Sequence, residues 1–498
     1  MNIISLGFLI FLAGALVLYY LFPERLRPYV LLALSFFFIG TYDLRGIFFL
    51  LATAFVIWYA GLRISRLNAS GADAAALKKG KRRMLTLGIC LTAGVLVVLK
   101  YLGPLTLGLL APSRAMKLFV PIGISYYTLM AISYLVDVYW GRLRAEEKYQ
   151  NLLLYLSYFP HILQGPIGRY TDLSQELFGK AHPFSVHSLK YGVQMILWGY
   201  FKLLVIGEKT HFFVVDAFHS GKTAYGFAAL FGLMMFGFDL YANFSGGIDV
   251  IRGVSQCFGI DLAENFRQPF FSRSLGEFWR RWHITLGTWM KDYIFFPLSM
   301  SKPFSRLKKS LKKRVDKKMA TRIPIALANI LVFILVGVWH GLGSNYLLWG
   351  LYNGLILAFS EVMAGAYLRA KGALHIRDDN RLWGAFCLLR TFLIITVGWA
   401  TDCADTASGS FMIVANLFKF GLTDFGIFQS TLIGYAKAFF GIFILVAVDI
   451  LHEKGHSVRD LVNARCITFQ ILFWTALIQL IALLGRTATL GGLMYAGF

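Results

Sequence analysis

The chain has 498 residues, 57% of them hydrophobic and only 15% charged, with a mean hydropathy of +0.62. No soluble globular domain of this length needs so much apolar surface, so the composition excludes one and indicates a polytopic membrane protein. The formal charge of +23 does not point to nucleic acid, because Lys and Arg gather in short stretches between apolar spans, which is how positive-inside topology is written.

The apolar material comes in segments of near bilayer-crossing length, so the expected fold is all-α; a β-barrel would show short alternating segments. Asn2 to Leu21 reads as an uncleaved first helix, since it lacks a basic leader and a small-residue cleavage site. Further spans are expected at 29–41, 47–62, 85–110 and 118–138. Between the third and fourth lies a basic stretch, Arg63, Arg66, Lys78, Lys79, Lys81, Arg82 and Arg83 against Asp73, which should be cytoplasmic. Counting back from it puts the N-terminus outside, and counting forward puts Arg142, Arg144 and Lys148 inside.

From 150 to 300 the apolar runs are short: Leu152 to Gln164 ends at Gly165-Pro166, and Ile284 to Met300 carries Lys291-Asp292 and Pro297. Irregular backbone at membrane depth survives only where protein or a water-filled cavity surrounds it, so re-entrant or tilted helices around a central tunnel are expected here. Cleaner spans are expected at 188–206, 223–242, 323–340, 344–366, 384–400, 430–450 and 467–485. The total is roughly eleven to thirteen transmembrane helices, and with no linker or repeat dividing residues 1–498, one membrane domain is the simplest organisation. Five scattered cysteines suggest neither a disulfide framework nor a zinc cluster.

Two histidines bracket the most basic stretch. His283 closes Glu277-Phe-Trp-Arg-Arg-Trp-His283, His340 lies in Gly337-Val-Trp-His340-Gly341, and between them Lys302 to Arg322 holds ten Lys/Arg against Asp316 alone. His283 is 19 residues before Lys302 and His340 is 18 after Arg322. Two helical arms would carry each histidine roughly 27 Å from the basic face. An ionisable group at such depth is read as functional by default.

Several motifs in matching order closely resemble the membrane-bound O-acyltransferase superfamily, within it the bacterial branch of alginate O-acetyltransferase and teichoic-acid D-alanyltransferase. They are Pro121-Ile-Gly-Ile-Ser-Tyr-Tyr127, Phe159-Pro-His-Ile-Leu-Gln-Gly-Pro166, Asp239-Leu-Tyr-Ala-Asn-Phe-Ser-Gly246, Phe278-Trp-Arg-Arg-Trp-His283, Trp289-Met-Lys-Asp-Tyr293, Gly337-Val-Trp-His340-Gly341 and Trp349-Gly-Leu-Tyr-Asn353. The likeness covers most of 120–355, the motif-bearing core; after Gly398-Trp399 the chain departs from the branch's pattern with Ala-Thr-Asp-Cys-Ala-Asp405.

The resemblance implies an acyltransferase whose His340 is the catalytic histidine and His283 the second motif position. Moving an acyl group from a thioester to a hydroxyl needs a base, and neutral imidazole suits it. His283 would orient donor or acceptor or bond the developing oxyanion, a task open also to Asn243. Trp339, Trp282, Trp279, Arg280 and Arg281 are candidates for substrate or tunnel contacts, with anchoring at the interface as the plainer role for the basic-aromatic run. Asp239 and Asp249 would join the histidines in a polar network or neutralise Arg252. Glu277, Arg267 and Arg273 would pair with one another.

The donor implied is a cytoplasmic thioester, acyl-CoA or an acyl carrier protein, with no tightly bound cofactor and no metal. The acceptor is a hydroxyl of a cell-envelope polysaccharide or teichoic acid. The bacterial branch also implies a separate extracytoplasmic SGNH-like accessory protein, and location in the cytoplasmic (inner) membrane, in contact with its lipids. The basic stretches 63–83 and 302–322 would contact lipid headgroups or dock the donor.

Other classes have less support. His452-Glu453-Lys-Gly-His456 satisfies H-E-x-x-H, the intramembrane zinc-protease pattern, but Gly455 weakens the helix that this chemistry requires. A transporter flipping a lipid-linked saccharide would suit many broken helices, though it gives the Trp-His motifs no purpose. No Walker loop, dinucleotide fingerprint or G-x-S-x-G elbow occurs.

Overall fold

The structure, a computed structural model, describes residues 1–69, 74–102, 120–220, 223–419 and 425–485. It is helical. The sole pairing of extended backbone among the described residues is an isolated antiparallel bridge between Phe266 and Trp282. Nine of the described helices are long and apolar enough to cross a membrane. The remaining expected spans are shorter helices, such as 14 residues at Arg27–Gly40 and 16 at Ile124–Tyr139. The end of the expected 85–110 span and the start of 118–138 lie outside the described residues.

The described residues divide into two compact units, one within 1–200 with 246–263 and the other within 201–245 with 264–485. In the first, α1 (Leu6–Leu21), α2 (Arg27–Gly40), α3 (Leu44–Ala69), α4 (Ala74–Val97), α5 (Ile124–Tyr139) and α6 (Tyr149–Ser157) are followed by α7 (Val186–Phe201). The apolar run expected to end at Gly165 breaks earlier, at Tyr158, because Pro160 follows within two residues and cannot donate into a continuing helix. α5 is buried on nearly every face, with Tyr126, Tyr127, Met130 and Tyr134 inside.

The second unit contains α8 (Glu208–Phe218) and most of α9 (Gly226–Cys257). Short α10 (Leu275–Arg281) and α11 (Ile284–Met290) come next, then α12 (Lys302–Leu311). They are followed by α13 (Met319–His340), α14 (Ser344–Ala373), α15 (Arg381–Gly398), α16 (Leu432–Glu453) and α17 (Ile467–Leu484). The expected interruption at Lys291-Asp292 is a π turn, Lys291–Phe295, inside a helical run that continues to Ser299; Pro297 is tolerated because it opens the last piece. About half of the basic stretch 302–322 is α12, which buries Phe304 and exposes Lys302 and Lys309.

Burial sorts the helices. In α9, 72% of the apolar window is buried, against 11% in α17. An outer helix that leaves Leu472 and Leu483 exposed meets acyl chains in a bilayer, which are as apolar as leucine, so no hydrophobic penalty attaches.

Candidate active site

All nine candidate site residues belong to the second unit. His340 is the last residue of α13, a helix of 22 residues beginning beside the basic α12, so it ends about 33 Å away along the helix axis. Its position depends on how closely α13 packs with α14. A Cβ on Gly337 would meet the carbonyl oxygen of Tyr346 at 2.3 Å, and one on Gly350 the carbonyl of Phe333 at 2.6 Å. Only glycine permits this approach, and it brings the His340 ring against Trp349 at 5.5 Å, Trp339 at 4.9 Å and Tyr346 at 6.2 Å.

His283 is set differently. It joins α10 to α11 with left-handed backbone, φ 47° and ψ 51°, a conformation few residues without glycine's freedom adopt. Asn265 imposes it. The Asn265 carbonyl accepts from Ile284 N at 3.0 Å; its side-chain Oδ1 accepts from Thr285 N at 3.0 Å and from Thr285 Oγ1 at 2.8 Å. His283 Nδ1 lies 3.4 Å from the same Oδ1. Because a backbone N–H already identifies that atom as the oxygen, Nδ1 is the ring nitrogen that carries hydrogen. Nε2 then presents a lone pair, and this buried atom has no hydrogen-bond partner among the described residues. Phe244 closes one side with its ring 4.9 Å away, edge to face.

The basic-aromatic run between them separates by chemistry. Trp282 is buried against Phe278, Phe266 and Trp399, with ring centroids 5.0–5.5 Å apart. Trp279 donates from Nε1 to Asn353 Oδ1 at 3.2 Å and packs on Trp349, tying α10 to the α13–α14 pair. Arg280 is exposed. Arg281 pairs with Glu277 at 2.8 Å and bidentately with Glu453 at the end of α16, at 2.6 and 3.0 Å. The expected pairing of Glu277 with Arg267 and Arg273 is therefore corrected: Arg267 pairs with Glu264, and Arg273 reaches Glu277 only through its backbone N–H.

Asp239 and Asn243 form a second polar group, one helical turn apart on α9. Asn243 Nδ2 donates to Asp239 Oδ1, and His211 Nδ1 on α8 donates to Asp239 Oδ2 at 3.1 Å. The partner of this fully buried aspartate is thus His211, a residue that sequence reasoning missed, rather than His283 or His340. No spacing signal could have found it, since the pair joins different helices. Asn265, likewise missed, gave only a polar residue in a loop. Arg252, for which Asp239 was a candidate counter-ion, sits in the first unit and donates to Leu262 O.

The H-E-x-x-H stretch lacks the required geometry. α16 stops at Glu453, Gly455 takes φ +83°, and Gly455 N and His456 N close the helix end on His452 O and Leu451 O, so the two histidines do not share a helix face. Glu453 is held by Arg281.

The family model for MBOAT, the membrane-bound O-acyltransferase family, matches residues 142–312. The chain is 30% identical over 422 residues to the probable alginate O-acetylase AlgI of Azotobacter vinelandii, covering 83% of this chain and 77% of that one. It is 28% identical over 349 residues to the peptidoglycan O-acetyltransferase of Helicobacter pylori, covering 64% and 61% respectively. Against the teichoic acid D-alanyltransferase of Bacillus subtilis it is 31% identical over 245 residues, 47% and 58% of the two chains. With its apolar helices and paired Trp-His motifs, the chain belongs to the membrane-bound O-acyltransferase family and is a multi-pass membrane-bound O-acyltransferase.

Proposed function

We propose that the chain transfers an acetyl group from a cytoplasmic thioester, acyl-CoA or an acylated carrier protein, across the inner membrane to a hydroxyl of a cell-envelope polymer. The observation that carries this reading is the pair of motif histidines, one ending a membrane-length helix among Trp339, Tyr346 and Trp349 and one with an unsatisfied buried nitrogen. His340 takes the proton from the acceptor hydroxyl as its oxygen attacks the thioester carbonyl. The C–O bond forms, the C–S bond breaks, and the proton passes to the departing thiolate. The Nε2 lone pair of His283 accepts a hydrogen bond and so orients the acceptor hydroxyl; donation to an oxyanion would need the other tautomer.

Topology supports transfer across the membrane. The basic α12 belongs on the cytoplasmic side, where thioesters are made, and α13 runs from it for a bilayer's thickness to His340. The same rule puts the N-terminus outside. An extracytoplasmic SGNH-like protein would complete delivery to the polymer.

Acetyl is favoured over D-alanyl because O-acetylating relatives match a larger share of the chain. The test is mass spectrometry of ester groups on the isolated polymer from cells with wild-type or His340→Ala protein at matched membrane levels. Loss of acetyl esters in the variant is expected. Unchanged ester content with properly inserted protein would overturn the role of His340, and loss of D-alanyl esters instead would overturn the acetyl assignment.

A further inference from the structure

Within the first unit, a cavity of about 210 Å³ opens where α2 and α6 begin. Arg25, Arg27, Lys148 and Lys180 line it against one carboxylate, Glu24. Lys180 also pairs with Glu176, so four cations less two carboxylates leave a surplus of two positive charges. Arg25 and Lys148 have no ion-pair partner among the described residues, and Glu24 stands 3.8 Å from Arg27.

The cavity is organised around Arg27. Its side chain is only 12% accessible. It donates from Nε to Phe22 O at 3.1 Å and from Nη1 to His182 O at 2.5 Å, and its guanidinium lies 5.1 Å from the Tyr19 ring centroid and 5.3 Å from that of Tyr20. These contacts hold the charge in place without neutralising it. α6 adds the positive end of its dipole: it has no acidic residue in its first turn and no side-chain cap.

We propose that this cavity binds the phosphate ester of an anionic phospholipid headgroup. A guanidinium, flexible ammonium groups and a helix N-terminus together are the donor set that phosphate oxygens take. A lipid source is favoured over a soluble one because the cavity borders apolar surface that a lipid's acyl chains would cover. At the end of α1, Leu21 is 75% exposed, with Leu18 and Phe22 exposed beside it. Basic pockets between membrane helices recognise anionic headgroups in this way. The site is separate from the histidines and does not depend on the acyl-transfer reading.

Native mass spectrometry of the full chain in detergent, titrated with phosphatidylglycerol, phosphatidylcholine or coenzyme A, tests it. Phosphatidylglycerol should bind at least tenfold more tightly than phosphatidylcholine and resist competition by coenzyme A. The Arg25→Ala/Lys148→Ala pair, both exposed positions, should weaken that binding by about twentyfold, near fivefold per cation. Lys454→Ala/Arg465→Ala, two exposed cations of the second unit, removes the same charge elsewhere and should leave it within twofold. Equal binding of the two lipids, equal losses in the two double variants, or full displacement by coenzyme A would each overturn the proposal.

Discussion

Asn265 is the residue on which His283 most depends. Replacing it with alanine removes the acceptor shared by Thr285 N, Thr285 Oγ1 and His283 Nδ1. The hydroxyl can rotate to a new partner, but the backbone N–H of the buried Thr285 cannot, and a stranded buried donor costs about 1–3 kcal/mol. The left-handed turn at His283 carries about 1–3 kcal/mol of backbone strain that the same bonds hold in check. The turn should therefore relax and move the imidazole by about 1 Å, enough to lower turnover ~100-fold. Asn265→Asp keeps an oxygen facing Thr285 N and should recover most of the loss. The assay is acyl transfer from a radiolabelled thioester to a polymer fragment by purified protein in lipid, with kcat and KM separated and folded amounts matched by size exclusion. A fall in kcat with KM nearly unchanged is expected. Turnover within twofold of wild type in Asn265→Ala would refute it.

Gly337→Ala should be severe although alanine favours helix, because its Cβ meets Tyr346 O at 2.3 Å; the α13–α14 pair must separate at a cost of about 1–3 kcal/mol, read as a lower melting temperature, whereas Gly372→Ala, with open space around it, should not lower it. His452→Ala and His456→Ala should keep transfer activity within twofold, with or without a chelator, since the helix ends between the two histidines; a chelator-sensitive loss would restore a metal role.

The membrane class, the order of most long helices and the two Trp-His motifs were legible because each is written locally. A span is a run of apolar residues, a topology marker is a cluster of like charge, and both can be read without knowing what lies opposite. The same locality explains the recognisable breaks: Pro160 ends α6 through its own missing donor. Where two local tendencies competed the reading was less accurate, as at Lys291-Asp292, where the helix continued through a π turn, and at 302–311, where a lysine-rich stretch buried Phe304 and became a helix.

Partnership was decided only in three dimensions. Nothing near Asp239 in the chain announces His211, 28 positions away on another helix, nor does Arg281 announce Glu453 at a separation of 172. A carboxylate takes the donor that packing brings to it, and packing is set by close approaches such as Gly337 against Tyr346 that depend on whole helices. The tautomer of His283 likewise follows from Asn265 and Thr285 rather than from its own motif. Sequence alone therefore determined which side chains could do chemistry, because that is a property of residue type and apolar context. The fold decided which of them meet and which protons they hold, because those are properties of distance.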